Sequence, residues 1–202
     1  MLLGALLIIG GYLLGSVASA VLVSHLMGLP DPRAEGSRNP GATNVLRLGG
    51  RKAAAITLAG DLLKGLLPVL LARLLGAGPA VAGAVAVAAF LGHLYPVFFG
   101  FRGGKGVATA AGTLLALAPA VGVATVLLWL AIAAVFRYAS LAGISAAALA
   151  PLLAWLFSYP APIVLAVLLI AALLIWRHRS NIQRLLAGTE GRIGAGREQA
   201  QG

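Results

Sequence analysis

The chain has 202 residues, of which 60% are hydrophobic and 10% charged, with a formal net charge of +10 and no cysteine; its mean hydropathy is +0.99. A soluble domain averages about 45–50% apolar and about 25% charged residues, so these values exclude a water-soluble globule and place the chain in a bilayer. The absent cysteines exclude disulfides, thiolate catalysis and Cys-based metal sites, and three histidines and five acids are too few and too scattered for a metal cage.

Taken in chain order, the charge-free run from Met1 to Pro30 predicts a first helix over roughly residues 2–25. It lacks a basic n-region and exceeds an h-region in length, so it reads as a retained helix and not a leader. Residues 53–75 predict helix 2, with Asp61 and Lys64 inside it. The run 74–101 supplies helix 3 after the Gly76-Ala77-Gly78-Pro79 turn. The stretch 106–136 divides at Ala118-Pro119 into two short helices, and 138–176 divides at Ser158-Tyr159-Pro160-Ala161-Pro162 into helices 6 and 7. Past Arg177, the residues Ile182, Leu185 and Leu186 mark a short amphipathic segment.

Cytoplasmic loops collect Lys and Arg. If 106–136 crosses twice, segments 26–52, 94–106, 137–140 and 177–202 share one side. Those segments hold 13 of the 15 Lys and Arg residues, all but Lys64 and Arg73. The fold class is therefore all-α: a polytopic membrane protein of seven transmembrane helices, N-terminus out and C-terminus in. Residues 1–190 form a single integral membrane domain, with a flexible cytoplasmic tail over 191–202. The basic residues flank apolar spans and form no soluble basic domain, which argues against nucleic acid as a partner.

Three polar clusters interrupt this apolar chain, and on the seven-helix reading all three face the cytoplasm. The first is Gly36-Ser37-Arg38-Asn39-Pro40-Gly41-Ala42-Thr43-Asn44, closed by Arg47; the second is Arg102-Gly103-Gly104-Lys105-Gly106-Val107-Ala108-Thr109. The third is Arg177-His178-Arg179-Ser180-Asn181, continuing to Arg184, Gly188, Thr189 and Glu190. Each combines glycines, which expose backbone N–H groups, with hydroxyl or amide donors and fixed cations, which is what a phosphate group requires. Basic loop ends also arise from orientation alone. The density of Ser37, Arg38, Asn39, Thr43, Asn44 and Arg47 within eleven residues favours a site. The second cluster is not a nucleotide loop, because Phe99 and Gly106 stand where a P-loop needs Gly and Ser or Thr. Of the histidines, only His178 is flanked by cations, which favours its neutral form; His93 reads as a packing residue as readily as a functional one. Asp61 and Lys64 read evenly as functional groups or as a mutually neutralising pair.

These clusters, with Gly60-Asp61-Leu62-Leu63-Lys64-Gly65 and Gly92-His93-Leu94-Tyr95-Pro96, resemble the PlsY family of bacterial acyl-phosphate:glycerol-3-phosphate acyltransferases over nearly the whole chain. Two positions depart from the family pattern: Arg38 stands where many members carry Gly, and Gly143 where a second Ser is common. The resemblance implies acyl transfer from an acyl phosphate to the sn-1 hydroxyl of glycerol 3-phosphate. The products are lysophosphatidic acid and phosphate, formed in the bacterial inner membrane on its cytoplasmic face. No cofactor or metal is implied, and the expected partners are the two substrates and membrane lipid. On this reading Ser37, Asn39, Lys105, His178 and Asn181 are the candidate catalytic residues. Gly103, Gly104, Lys105, Gly106 and Thr109 are assigned to the acyl phosphate, with Ser37, Asn39, Gly41, Thr43 and Asn44 completing its pocket. Arg47, His178, Arg179 and Asn181 are assigned to glycerol 3-phosphate. An anion transporter is the rival reading, although transporters place their sites near the midplane of repeated halves, and no repeat is visible here.

Overall fold

A computed structural model describes residues 1–194, and over these the chain is helical with no strands. The helices are α1 (Leu2–Gly15), α2 (Ser19–Leu26), α3 (Ala42–Leu74), α4 (Pro79–Leu94) and α5 (Val107–Leu117). They continue with α6 (Pro119–Phe136), α7 (Ala139–Leu156), α8 (Ala161–Arg177) and α9 (Arg179–Leu186). Four of them, α3, the segment Pro79–Phe99, α6 and α7, are each long and apolar enough to cross a bilayer. Two more apolar segments are bent pairs, α1 with α2 at 42° and α8 with α9 at 56°. The protein is an all-helical integral membrane fold.

Most breaks fall where proline and glycine place them. Pro79 opens α4, Pro119 opens α6, and Pro160 precedes α8, each position tolerating the missing N–H at a helix start. Two breaks differ from expectation. The first helix is not continuous over 2–25 but bends between Gly15 and Ser19. There Ser16 turns its hydroxyl onto the Tyr12 carbonyl at 2.8 Å, a back-bond that bends helices. Helix 2 begins early, at Ala42, and is interrupted at Gly50, whose φ of 77° and ψ of −169° only glycine adopts easily. Residues 42–49 thus form a separate arm bearing Arg47, and the straight span starts after Gly50.

Helix α4 is central, packing on α1, α3, α5 and α8, while α7 packs on α8 and α6 packs on α5 and α7. The core around Phe90, Leu94, Leu117, Val121 and Val167 is fully buried. The outer face is leucine-rich, with Leu63, Leu67, Leu71, Leu127, Leu130 and Leu165 exposed, as lipid-facing helices require. Where α3 meets α5 the backbones touch: a Cβ on Gly65 would run into the Thr109 carbonyl, and one on Gly112 into the Leu62 carbonyl. Small residues of this kind let membrane helices approach closely.

The expected tail over 191–202 does not begin loose. Ile193 N–H donates to the Arg137 carbonyl at 2.7 Å, Arg137 returns a bond to the Ile193 carbonyl at 3.1 Å, and Arg192 lies over the Tyr138 ring. The tail's first residues are thereby fastened to the α6–α7 turn, and its remainder, 195–202, lies outside the described residues.

Candidate active site

All three polar clusters meet at one end of the bundle. The second cluster forms the loop between the 3₁₀ turn at Val97–Phe99 and α5. Gly106 caps α5 at φ 82°, and a Cβ there would collide with the Phe90 ring, so only glycine lets the loop turn into α5 against the core. The loop is held from α8: Arg177 donates to the Gly103 carbonyl at 3.0 Å and to the Gly104 carbonyl at 3.0 and 3.2 Å. The same guanidinium lies 5.8 Å above the Tyr95 ring. With the carbonyls turned toward Arg177, a cation neutralises the wrong pole of the loop for an anion.

Lys105 projects from this loop to the third cluster and donates to the Asn181 side-chain oxygen. Asn181, buried on α9, donates in turn to Glu190 Oε1 at 2.6 Å. Glu190 also accepts from Ser140 of α7 at 2.6 Å and from Arg184 at 2.7 Å. Burial acts to raise the Glu190 pKa, but the bonds from Ser140, Asn181 and Arg184 outweigh it and hold the carboxylate below its usual range. The sequence does not single out Glu190 and Ser140 as site residues. Their signal there is weak: one acid in a polar run, and one serine on an apolar helix.

Electrostatics follow from crowding. Burial lowers the Lys105 pKa to about 8, aided by the charges of Arg184, Arg177 and Arg47 and opposed by Glu190. His178 caps α8 and is buried. Its Nδ1 faces the Leu174 carbonyl at 2.8 Å, and since a carbonyl only accepts, the proton sits on Nδ1 and Nε2 keeps its lone pair. Burial lowers the His178 pKa to about 4, with Lys105 and Arg177 reinforcing it. Nearby cations thus push His178 toward the neutral form, as expected from the sequence, but desolvation is the larger cause.

The first cluster supplies an outer wall. Arg47, on the arm before Gly50, brings its guanidinium to within 3.1 Å of where a Cβ on Gly191 would stand. Ser37 and Thr43 are exposed, Asn39 is half-buried, and Gly41 caps α3. Arg33, Arg38, Arg102 and Arg177 line a cavity of about 260 Å³ beside Gly103. Arg38 adopts φ 55°, in the left-handed region where a side chain costs about 1–2 kcal/mol. Glycine would carry no such cost there.

Three expected substrate contacts take other roles. Asn44 is buried, accepting from the Ser37 N–H at 2.9 Å and donating to the Pro32 and Glu35 carbonyls at 3.0 Å. Its amide is thus committed to folding the 32–37 loop. Thr109 is fully buried with its hydroxyl 3.0 Å from His93 Nδ1, so it reaches the loop only through that ring. Arg179 is exposed, stacks on Trp176 at 4.8 Å and bonds back to the Trp176 carbonyl, turned away from Lys105. The neighbouring Arg177, which positive-inside bias alone would explain, is the arginine that enters the site. The 56° bend between α8 and α9 decides this, because spacing along a straight helix does not say which side of His178 faces inward.

Comparison with known proteins agrees with this architecture. The family profile described as glycerol-3-phosphate acyltransferase matches residues 5–188. The glycerol-3-phosphate acyltransferase of Methylococcus capsulatus is 57% identical over 192 residues, covering 95% of this chain and 97% of its own. That of Burkholderia cenocepacia is 59% identical over 186 residues, covering 91% and 87%. The crystal structure of PlsY, an integral membrane glycerol 3-phosphate acyltransferase, in its glycerol 3-phosphate form superposes with a TM-score of 0.91 at 44% identity, covering 95% of this chain and 96% of that one. Its lysophosphatidic acid form gives 0.88 at 42% identity, covering 95% of each. Loop, cations and helix order thus lead to one assignment: the chain belongs to the glycerol-3-phosphate acyltransferase family of integral membrane enzymes.

Proposed function

We propose that this glycerol-3-phosphate acyltransferase takes its acyl group from an acyl phosphate and delivers it to the sn-1 hydroxyl of glycerol 3-phosphate. The observation that carries the reading is a half-buried Lys105 under the charges of Arg184, Arg177 and Arg47, set on a glycine-rich loop at a helix start. Such a site suits two phosphate-bearing substrates at once. An acyl phosphate is a mixed anhydride, already activated, so positioning and stabilisation of the departing charge suffice. The hydroxyl oxygen attacks the acyl carbon, the bond from that carbon to the phosphate oxygen breaks, and phosphate leaves with the electron pair toward Lys105. Ser140 is bonded to Glu190 and His178 to a backbone carbonyl, so neither forms a serine–histidine nucleophile pair. A His178 pKa of about 4 makes its Nε2 a weak base. A substrate phosphate, with a second pKa of about 6, is the stronger acceptor for the hydroxyl proton, and His178 orients that hydroxyl.

Seven crossings, with the polar end cytoplasmic in the inner membrane, complete the proposal. The basic segments converge at this end, as positive-inside bias requires. Helix α5 has 11 residues, about 16 Å or half a bilayer. The glycine loop at its start thus stands at the cytoplasmic end of a short helix, where a lipid-borne donor arrives sideways between helices.

The test uses purified protein in lipid mesophase with glycerol 3-phosphate and either palmitoyl phosphate or palmitoyl-CoA, without added metal. Lysophosphatidate formed from the acyl phosphate alone is the expected result. Product from the thioester alone would overturn the donor assignment.

A further inference from the structure

The acyl-transfer reading leaves a line of buried polar groups unused. Lys64 Nζ lies 2.8 Å from Asp61 Oδ1 and donates to the Val17 carbonyl at 2.8 Å. The same Asp61 oxygen stands 3.6 Å from His93 Nδ1, and that nitrogen is 3.0 Å from Thr109 Oγ1. His93 is only 6% exposed, and the other three residues are buried as well. The line ends at His93 Nε2, which is buried and has no hydrogen-bond partner among the described residues. An unpaired buried donor or acceptor costs about 1–3 kcal/mol, so such an atom calls for a function.

Its direction supplies one. A Cβ on Gly104 would stand 2.5 Å from His93 Nε2 and 3.0 Å from the Pro40 carbonyl oxygen. The ring edge therefore abuts the glycine loop one residue before Lys105, where the first and second polar clusters face each other. The contact at 3.0 Å fixes the ring through Thr109, whereas Asp61 at 3.6 Å is beyond hydrogen-bond range and has Lys64 as its ion partner.

Resting on the acyl-phosphate reading, we propose that His93 is a further substrate-contacting residue, whose Nε2–H donates to the phosphate held by the Gly103–Gly106 loop. Thr109 donates its hydroxyl proton to Nδ1, which leaves the ring proton on Nε2, facing the anion. Thr109 is then a positioning residue: it holds the ring at Nδ1 and touches no substrate.

Two amides separate this from a structural role. Glutamine places its side-chain nitrogen near the position of Nε2, and asparagine near that of Nδ1. A hydrogen bond to a charged group is worth about 1.5–3 kcal/mol, which is roughly 10- to 150-fold. His93→Asn should lower kcat/KM for palmitoyl phosphate by that factor while leaving KM for glycerol 3-phosphate near wild type. His93→Gln should recover most of the loss. The reverse ranking, or equal losses in both, would assign the work of His93 to its Nδ1 contact and overturn the proposal. A second measurement needs no variant to be active. In ¹⁵N-histidine-labelled wild-type protein, the His93 signal should report a protonated Nε2 that shifts saturably with inorganic phosphate. An unprotonated or unresponsive Nε2 overturns the proposal. Failure of the wild-type enzyme to use palmitoyl phosphate would instead strike the donor assignment, with the phosphate titration still testing His93 independently.

Discussion

Lys105 is charged at neutral pH with little margin. Its pKa of about 8 is set by burial and three arginines, and only the protonated form can draw off the charge of a departing phosphate. The free-enzyme profile, kcat/KM against pH, should therefore fall above about pH 8, tenfold per unit. The kcat limb should lie higher, because a bound phosphate favours the cation. Lys105→Arg should remove the alkaline limb at some cost in rate, since arginine stays charged throughout. A wild-type profile flat to pH 9.5 would sink this account of Lys105. At this scale the sequence was half legible. Glycines, hydroxyls and cations in short clusters announced phosphate chemistry, and the cationic surroundings of His178 foretold its neutral form. Which side chains point inward was not readable. Asn44 looks like Thr43 as a donor until the loop folds back and uses up its amide on Pro32 and Glu35.

Helices act here through their contacts with a loop and with one another. Arg177 spans two successive carbonyls with one planar fork, a geometry that a point-charge ammonium cannot reproduce. Arg177→Lys should raise KM for the acyl donor by about tenfold, for the loss of roughly 1–1.5 kcal/mol of hydrogen bonding, with a smaller change in KM for glycerol 3-phosphate. Equal changes in both would mean that the loop is shared by the two substrates. The α3–α5 contact makes a different demand. Gly112→Ala forces a methyl group against the Leu62 carbonyl, and overpacking of this kind costs about 1–3 kcal/mol. It should appear as a lower melting temperature in detergent, whereas Gly76→Ala, with open space around it, tests only the strain of a positive φ. The breaks at Ala118-Pro119 and Ser158–Pro162 were legible because proline ends helices by sterics alone. The bend after Gly15 was not, because it arises from a serine hydroxyl and from partners far along the chain.

For the whole molecule, the charge count and the fold agree on which segments share a face. Arg33 reaches the Phe99 carbonyl, Lys105 reaches Asn181, and Ser140 reaches Glu190, so residues from four separate segments meet at one end. Sidedness is directly measurable because the chain contains no cysteine and needs no background removed. A cysteine at Gln183, exposed on α9, should react with a membrane-impermeant maleimide only from the cytoplasmic side. One at Gly78, exposed in the α3–α4 turn, should react only from the opposite side. Labelling of both from one side would overturn the seven-crossing topology.

The bond from Lys64 to the Val17 carbonyl also bears on how the chain enters the membrane. Lys64 and Asp61, three residues apart, travel as a neutral couple, which lowers the cost of passing α3 into lipid. The ammonium still has donors to satisfy, and the carbonyl it finds lies at the bend between α1 and α2. That bend is synthesised first. On that order of synthesis, the carbonyl at the α1–α2 bend would already be in place when α3 brings its ammonium out of water. Biogenesis would then proceed by capture, with the early helices retained until a charged successor arrives to lock them in place.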